Sequence, residues 1–322
     1  MKRMGLIIGL WIISMSTFAQ SISQELVQVQ VSGGNLQGSL LIPQSNHPVP
    51  VVLMIAGSGP TDRNGNGPSS RNDALKRLAQ ALAQRGIASL RYDKRGVAKS
   101  LDVAPEESQL NVPDFVEDVR SWSQLLANDS RLGPPVILGH SEGAVIGSLA
   151  APTTKAVGLI TLAGSGRPIQ EVLLEQLATR QPASLFQRSQ SIIEALSEGQ
   201  RVNAIPPALD VLFRPSVQPY LISLFQYDPA RALPRVPLPV LIIQGTADIQ
   251  VNLQDAQRLK AAKPEAHVRI IEGMNHVLRI APLDFAAQQA TYHDPKLPVA
   301  RELIDQIEQV VRQAAAAKPP NR

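Results

Sequence analysis

The chain contains no cysteine, and this absence excludes several kinds of chemistry at once. It can form no disulfide framework, no cysteine nucleophile and no thiolate metal site. Although the formal net charge is +4, no block of lysines or arginines occurs, so we expect no nucleic-acid partner. The sequence also lacks a G-K-S or G-K-T phosphate loop and any cluster of histidines or carboxylates. We therefore predict no cofactor and no catalytic metal.

The N-terminal segment, residues 1–19, has the layout of a secretory signal peptide. Lys2 and Arg3 precede an apolar run over 6–13 that is short for a membrane span, and residues 17–19 fit a cleavage site. The alternative is an uncleaved N-terminal anchor. We expect cleavage and export, to the bacterial periplasm or the medium, with no stable membrane insertion once the leader is removed.

Apolar runs of strand length alternate with helical periods along the rest of the chain. Two runs, 26–31 and 36–42, flank the turn residues 32–35 and predict an antiparallel hairpin. Further strands are predicted at 49–56, 87–92, 136–138, 156–163, 239–244 and 267–271, and helices at 72–84, 112–127, 141–151, 253–262 and 297–315. This alternation indicates an α/β fold with a mostly parallel central sheet and helices on both faces.

The interval from 168 to 237 breaks this alternation. It holds helical stretches separated by prolines, and a structureless loop of that length is uncommon in a compact domain. We therefore predict a helical lid or cap, inserted between a first core part at 20–167 and a second at 238–322. Part of the surface of its leucines and phenylalanines, Phe213 and Phe225 among them, must pack on the core, and the rest is expected to line an acyl or aromatic pocket over Ser141.

The pentapeptide at 139–143, GHSEG, is the most informative motif in the chain. It follows a short apolar run and opens a helix-like run, and this context predicts a nucleophile elbow with Ser141 as the nucleophile. The two glycines are expected because a Cβ would clash in so tight a turn. The alternative is a glycine-rich loop between a strand and a helix.

A serine nucleophile needs a base, and the base needs a carboxylate that orients it. Asp248 follows the predicted strand at 239–244, and His276 follows the one at 267–271, so both belong at the same sheet edge as Ser141. His293 is the rival base, and His140 is expected to pack beside the serine. The competing carboxylates are Asp228, Asp255 and Asp284.

With the order Ser, Asp, His, the chain after residue 19 resembles the α/β-hydrolase family. Residues 245–251 look like its acid loop and 273–276 like its histidine loop. Residues 91–100 are similar to its D-x-R-G-x-G-x-S turn, with Ala98 where glycine is usual. The serine-aminopeptidase-like and esterase-like hydrolases share the loop type at 57–63.

The resemblance implies the α/β-hydrolase fold and a catalytic triad of Ser141, Asp248 and His276. It also implies an oxyanion hole built from the backbone N–H groups of Ser58 and Glu142. We expect an exported serine hydrolase that cleaves small-molecule carboxylic esters with apolar acyl groups. A peptidase or amidase, a thioesterase, and an inactive hydrolase fold used for binding are the alternatives; oligomeric state is not predicted.

Two further groups of charged and polar residues, at 62–67 and at Asp93, are each open to more than one interpretation. Residues 62–67 read DRNGNG, the opening of a calcium loop, with Asp73 at its twelfth position; the alternative is a mobile loop around the oxyanion hole. Asp93 is expected to pair with Arg95 or to cap its own turn.

Overall fold

The computed structural model describes residues 21–316, so the predicted signal peptide at 1–19 lies outside the described residues. Eight strands form one sheet. They are β1 (Ile22–Val31), β2 (Gly34–Pro43), β3 (Val49–Ile55), β4 (Ala88–Tyr92), β5 (Leu132–His140), β6 (Gly158–Leu162), β7 (Val240–Gly245) and β8 (His267–Ile271). Their order is β1-β2-β4-β3-β5-β6-β7-β8. The β1–β2 and β2–β4 pairs are antiparallel and the remaining pairs are parallel, which confirms the predicted sheet.

Eleven α-helices accompany the sheet within residues 21–316. They are α1 (Ala74–Ala83), α2 (Val112–Ala127), α3 (Glu142–Ala150), α4 (Ile169–Arg180), α5 (Ala183–Ser197), α6 (Asp210–Phe213), α7 (Gln218–Leu224), α8 (Pro229–Ala232), α9 (Leu253–Ala262), α10 (Phe285–Thr291) and α11 (Arg301–Ala316). None of these helices is long and apolar enough to cross a membrane.

The two faces of the sheet bury separate apolar clusters. In β3, Leu53 points into one cluster together with helices α2, α3 and α9, and its neighbour Met54 points into the other with α1 and α11. Successive strand residues face opposite sides, so a strand covered on both sides is apolar throughout. The helices therefore lie on both faces, as the sequence predicts.

The segment between β6 and β7 contains helices α4 to α8 and has an apolar cluster of its own. Phe213 and Phe225 lie inside that cluster, with exposed fractions of 0% and 6%. They therefore belong to the part of the apolar surface that packs, and they do not line a pocket over Ser141. An insertion of this size needs an internal core, and its largest side chains fill it.

Strand β5 and helix α10 are among the elements that differ from the prediction. Strand β5 begins at Leu132, before two prolines, and its pairing with β3 shifts in register between Val49 and Val51. Helix α10 was not predicted; Asp284 caps it by accepting a hydrogen bond from the Ala287 N–H at 2.8 Å. Its seven residues are too few for a clear helical period.

Candidate active site

Ser141 lies at the tip of a tight turn between β5 and α3. Its backbone has φ 56° and ψ −121°, and its N–H donates to the Leu162 carbonyl at 2.9 Å. A Cβ built on Gly139 would lie 2.1 Å from the Gly143 oxygen, and one on Gly143 would lie 2.5 Å from the Ile55 oxygen. Real Cβ atoms do not approach so closely, so both glycines are required by packing, as predicted.

Asp248 follows β7, and His276 follows β8. The imidazole Nδ1 is 2.8 Å from Asp248 Oδ2, and both side chains are buried. The backbone N–H groups of Gln250 and Val251 donate to Asp248 Oδ1 at 2.8 and 3.0 Å. The Gln244 side-chain amide donates to Oδ2 at 3.1 Å. The carboxylate is thus held on both oxygens and orients the imidazole.

The surroundings of Asp248 favour its ionised form. Burial alone raises the pKa of this carboxyl, but the His276 imidazole and the backbone N–H groups of Gln250 and Val251 outweigh it, so the pKa is lowered overall. A carboxylate only accepts hydrogen bonds, so Nδ1 carries the imidazole proton. The other nitrogen, Nε2, then has the free lone pair that a general base needs.

His140 joins the elbow to the histidine loop. Its Nε2 donates to the His276 carbonyl at 2.9 Å, and the two ring centroids are 4.9 Å apart. Burial, together with the nearby His276, lowers the pKa of His140 to about 4. The ring is therefore neutral near pH 7 and packs beside Ser141.

Within residues 21–316, Ser141 makes no side-chain hydrogen bond to His276, whereas the Asp248–His276 bond is formed. Such nucleophile–base bonds are often long in a free enzyme and tighten when substrate binds. The competing carboxylates have other partners. Asp228 and Asp284 cap helices α8 and α10, and Asp255 pairs with Arg167 at 3.0 Å. Of the four acids, Asp248 is the one that contacts a histidine in the described chain.

The loop after β3 passes directly beside the nucleophile. A Cβ built on Gly57 would lie 3.2 Å from the Ser141 Cβ, so Gly57 is packed against the elbow. Ser58 is the next residue and therefore lies beside the elbow as well. Glu142 is the first residue of α3, where backbone N–H groups have no partner within the helix. The N-terminus of α3 favours negative charge, which suits Glu142 as a predicted oxyanion donor, and Ser58 lies in the loop that passes beside the elbow.

A family model described as the alpha/beta hydrolase family matches residues 52–288. The chain belongs to the α/β hydrolase family. It is 31% identical to Esterase EstD of Thermotoga maritima over 260 residues, which cover 80% of this chain and 60% of that relative. The chain thus spans about 60% of the length of the relative it matches.

Solved structures share the fold of this α/β hydrolase at low sequence identity. Est1E from Butyrivibrio proteoclasticus is 16% identical with a TM-score of 0.57, and the match covers 89% of this chain and 99% of Est1E. Proline iminopeptidase from Mycobacterium smegmatis is 17% identical with a TM-score of 0.56, over 90% of this chain and 99% of that structure. At these identities the likeness establishes the fold.

The turn at 91–100 brings buried charges to the site of the hydrolase. Asp93 pairs with Arg63 at 2.7 Å and accepts a hydrogen bond from the Lys99 N–H at 3.1 Å, which caps the turn. The alternative pairing of Asp93 with Arg95 is wrong, because Arg95 binds Asp118 at 2.8 Å. Sequence reasoning also missed Lys94, whose ammonium group contacts the loop after β3. Its only sequence signal was its place in the family turn.

The loop at 62–67 is closed by its own hydrogen bonds. Asp62 Oδ1 accepts from the N–H groups of Asn64 and Asn66 at 2.8 and 2.9 Å, and the Asn66 side-chain amide donates to Asp73 at 2.7 Å. In the described part of the chain, no three acidic or histidine side chains form a group that could hold a metal ion. These contacts are typical of a hydrogen-bonded turn.

Proposed function

We propose that this protein is an exported serine hydrolase that cleaves carboxylic esters with apolar acyl groups. The observation that carries the proposal is the buried Asp248–His276 hydrogen bond at 2.8 Å beside the strained turn of Ser141. The relative EstD bears the name of an esterase, and this supports an ester as the substrate.

In the proposed mechanism, Ser141 Oγ attacks the ester carbonyl while His276 Nε2 accepts its proton. The tetrahedral oxyanion is stabilised by the N–H groups of Ser58 and Glu142. Collapse expels the alcohol, which receives the proton from His276, and leaves an acyl group on Ser141. Water then attacks this acyl-enzyme with His276 as the base again, and the carboxylic acid leaves. Asp248 keeps the imidazole in one tautomer throughout.

The helical segment at 168–237 is proposed to act as a lid. On α4, the Gln176 amide donates to the Gln250 carbonyl at 2.8 Å, and Arg180 donates to the Ile249 carbonyl at 3.3 Å. Both acceptors lie in the loop that follows Asp248. Leu173 is half-buried and three residues before Gln176, so it lies on the same face of the helix. We infer that this face forms a wall of the acyl pocket.

Helix α7 approaches the site from the same segment. Tyr220 on this helix belongs to the same apolar cluster as Ile146 of α3. Burial and the nearby Glu142 carboxylate raise the pKa of the Tyr220 hydroxyl well above its usual value. Tyr220 also packs edge-on against Phe115, with ring centroids 5.4 Å apart. The lid segment thus contacts both the acid loop and the start of α3.

A fluorophosphonate probe tests whether the serine is activated, because only an activated serine is labelled. We expect the wild type to be labelled and Ser141→Ala to be unlabelled while still folded. The double variant Ser141→Ala with His276→Ala should have nearly the same residual activity as Ser141→Ala alone, because the effects of substituting residues that act as one unit are not additive. An unlabelled wild type would favour the binding-module alternative.

A substrate panel separates the ester, amide and thioester alternatives. We expect p-nitrophenyl esters to be hydrolysed faster than matched aminoacyl anilides or acyl thioesters. Faster cleavage of the anilides would identify a peptidase or amidase on the same triad.

Export is tested by expressing the full chain in a bacterium and sequencing the protein from the periplasm and medium. We expect a new N-terminus at Gln20.

A further inference from the structure

Lys94 is a buried lysine beside the nucleophile elbow, and the proposed mechanism does not use it. Only 4% of the residue is exposed. Its ammonium group donates to the carbonyls of Gly57 and Gly59, the second at 3.0 Å, and lies 3.9 Å from Glu142 Oε1. An ammonium has three N–H donors, and three oxygen atoms surround this one.

These partners belong to the two segments that hold the predicted oxyanion donors. Gly57 and Gly59 stand on either side of Ser58, and Glu142 supplies the other N–H. The Thr61 hydroxyl also binds the Ser58 carbonyl at 2.7 Å, so every carbonyl from Gly57 to Gly59 is occupied. With these carbonyls held, the orientation of the peptide units on either side of Ser58 is set.

We propose that Lys94 is a positioning residue that fixes the Ser58 N–H relative to the Glu142 N–H, so that both donate to the same oxyanion. This proposal rests on the proposed function of the Ser141 site. It assigns Lys94 no contact with substrate: the residue acts through the loop it binds. Lys94 belongs to the turn after β4, and its ammonium group contacts both donor segments.

The proposal predicts an effect on the transition state rather than on substrate binding. Removal of one oxyanion donor lowers kcat by about 10²–10³ in a well-studied protease. A displaced donor should cost less, so we expect Lys94→Met to lower kcat roughly tenfold to a hundredfold with KM little changed. The affinity for an alkyl boronic acid, whose tetrahedral adduct places an oxygen in the oxyanion hole, should fall by a similar factor.

Lys263→Met is the matched control. Lys263 is also buried, at 5% exposure, and its ammonium group donates to the Val236 carbonyl at 2.9 Å and pairs with Glu265 at 2.7 Å. The variant removes the same kind of contact at a distance from the elbow. It should lower the melting temperature without changing kcat or boronate affinity.

Lys94→Met leaves the Glu142 carboxylate without its cation, which could prevent folding. The double variant Lys94→Met with Glu142→Gln removes both charges and retains the Glu142 backbone N–H. It should fold, as judged by circular dichroism, and show the same loss of kcat and boronate affinity.

If either folded Lys94 variant has the kcat and boronate affinity of Lys263→Met, the role of Lys94 is refuted while the hydrolase assignment stands. A roughly tenfold to hundredfold rise of KM with kcat unchanged would also refute the role of Lys94, because that pattern indicates a loss of substrate binding. A wild type that neither hydrolyses esters nor reacts with fluorophosphonate would instead refute the proposed function.

Discussion

The backbone of Ser141, at φ 56° and ψ −121°, lies in a region that glycine enters easily and other residues rarely adopt. Holding a serine there costs about 1–3 kcal/mol, which the surrounding sheet and helix must offset. The strained residue is the proposed nucleophile, so the fold gives up some stability for the proposed function.

This strain predicts different stabilities for two variants that lack the proposed nucleophile. Ser141→Gly should be more stable than Ser141→Ala by about 1 kcal/mol, because glycine relieves the strain but gains some freedom in the unfolded chain. Alanine retains the Cβ and therefore the strain. Urea denaturation of the two variants measures the difference. Equal or lower stability of the glycine variant would contradict it.

His140 predicts a pH dependence of stability. Its pKa is about 4 in the folded protein, against an ordinary value of 6.5. As the pH falls from 6.5 towards 4, the unfolded chain binds a proton that the folded one does not, so the free energy of unfolding decreases.

In His140→Gln the side-chain amide can still donate to the His276 carbonyl but does not titrate in this range. The free energy of unfolding of the wild type should therefore decrease more steeply than that of this variant between pH 6.5 and 4. Above about pH 7.5 the two curves should run parallel, because the imidazole is then neutral in both states, and this range serves as the internal control. Parallel curves throughout would show that His140 is not the titrating group.

At the scale of elements, the turn between β4 and α2 contains an alanine with φ 47°, at Ala98. The left-handed conformation costs a residue with a Cβ roughly 1–2 kcal/mol. Ala98→Gly should therefore raise the free energy of unfolding by up to about 1 kcal/mol, once the greater freedom of glycine in the unfolded chain is included.

The opposite change at Gly96 is the matched control. Gly96 has φ 74°, and a Cβ there would lie 3.1 Å from the Ala104 oxygen, so Gly96→Ala should be destabilising. Thermal melts of both variants measure the pair of effects. A destabilised Ala98→Gly protein would mean that the Ala98 methyl group makes contacts worth more than the strain.

At the scale of the whole molecule, the proposed lid at 168–237 lies between β6 and β7 and contacts the loop after Asp248. We expect Leu173→Ala to shift kcat/KM towards longer acyl chains, by roughly tenfold between short and long esters, because it widens the proposed pocket. Val211→Ala is the control, since 80% of Val211 is exposed on α6. A uniform loss for all esters would show that Leu173 only supports the fold.

The sequence alone determined most of the fold and the three residues of the proposed triad. In each of three places an apolar run is followed by the functional residue: the first by GHSEG, the second by Asp248 and the third by His276. Each of these patterns lies within about ten neighbouring residues, so the sequence alone reveals it. Parallel strands carry their carboxyl ends to one edge, so the alternation of strands and helices was enough to predict that the three loops meet.

The tertiary structure decided the partners of the buried charges and the packing of the helical segment at 168–237. Asp93 pairs with Arg63 rather than with its neighbour Arg95, and Lys94 reaches Gly57 across the boundary between β4 and β3. The period of apolar residues predicts which face of a helix or strand is buried. It does not predict the partner of a buried charged side chain, because that partner is the group that the strand order brings within hydrogen-bond distance. That order, with β4 between β2 and β3, arises when the sheet assembles, and no local pattern specifies it.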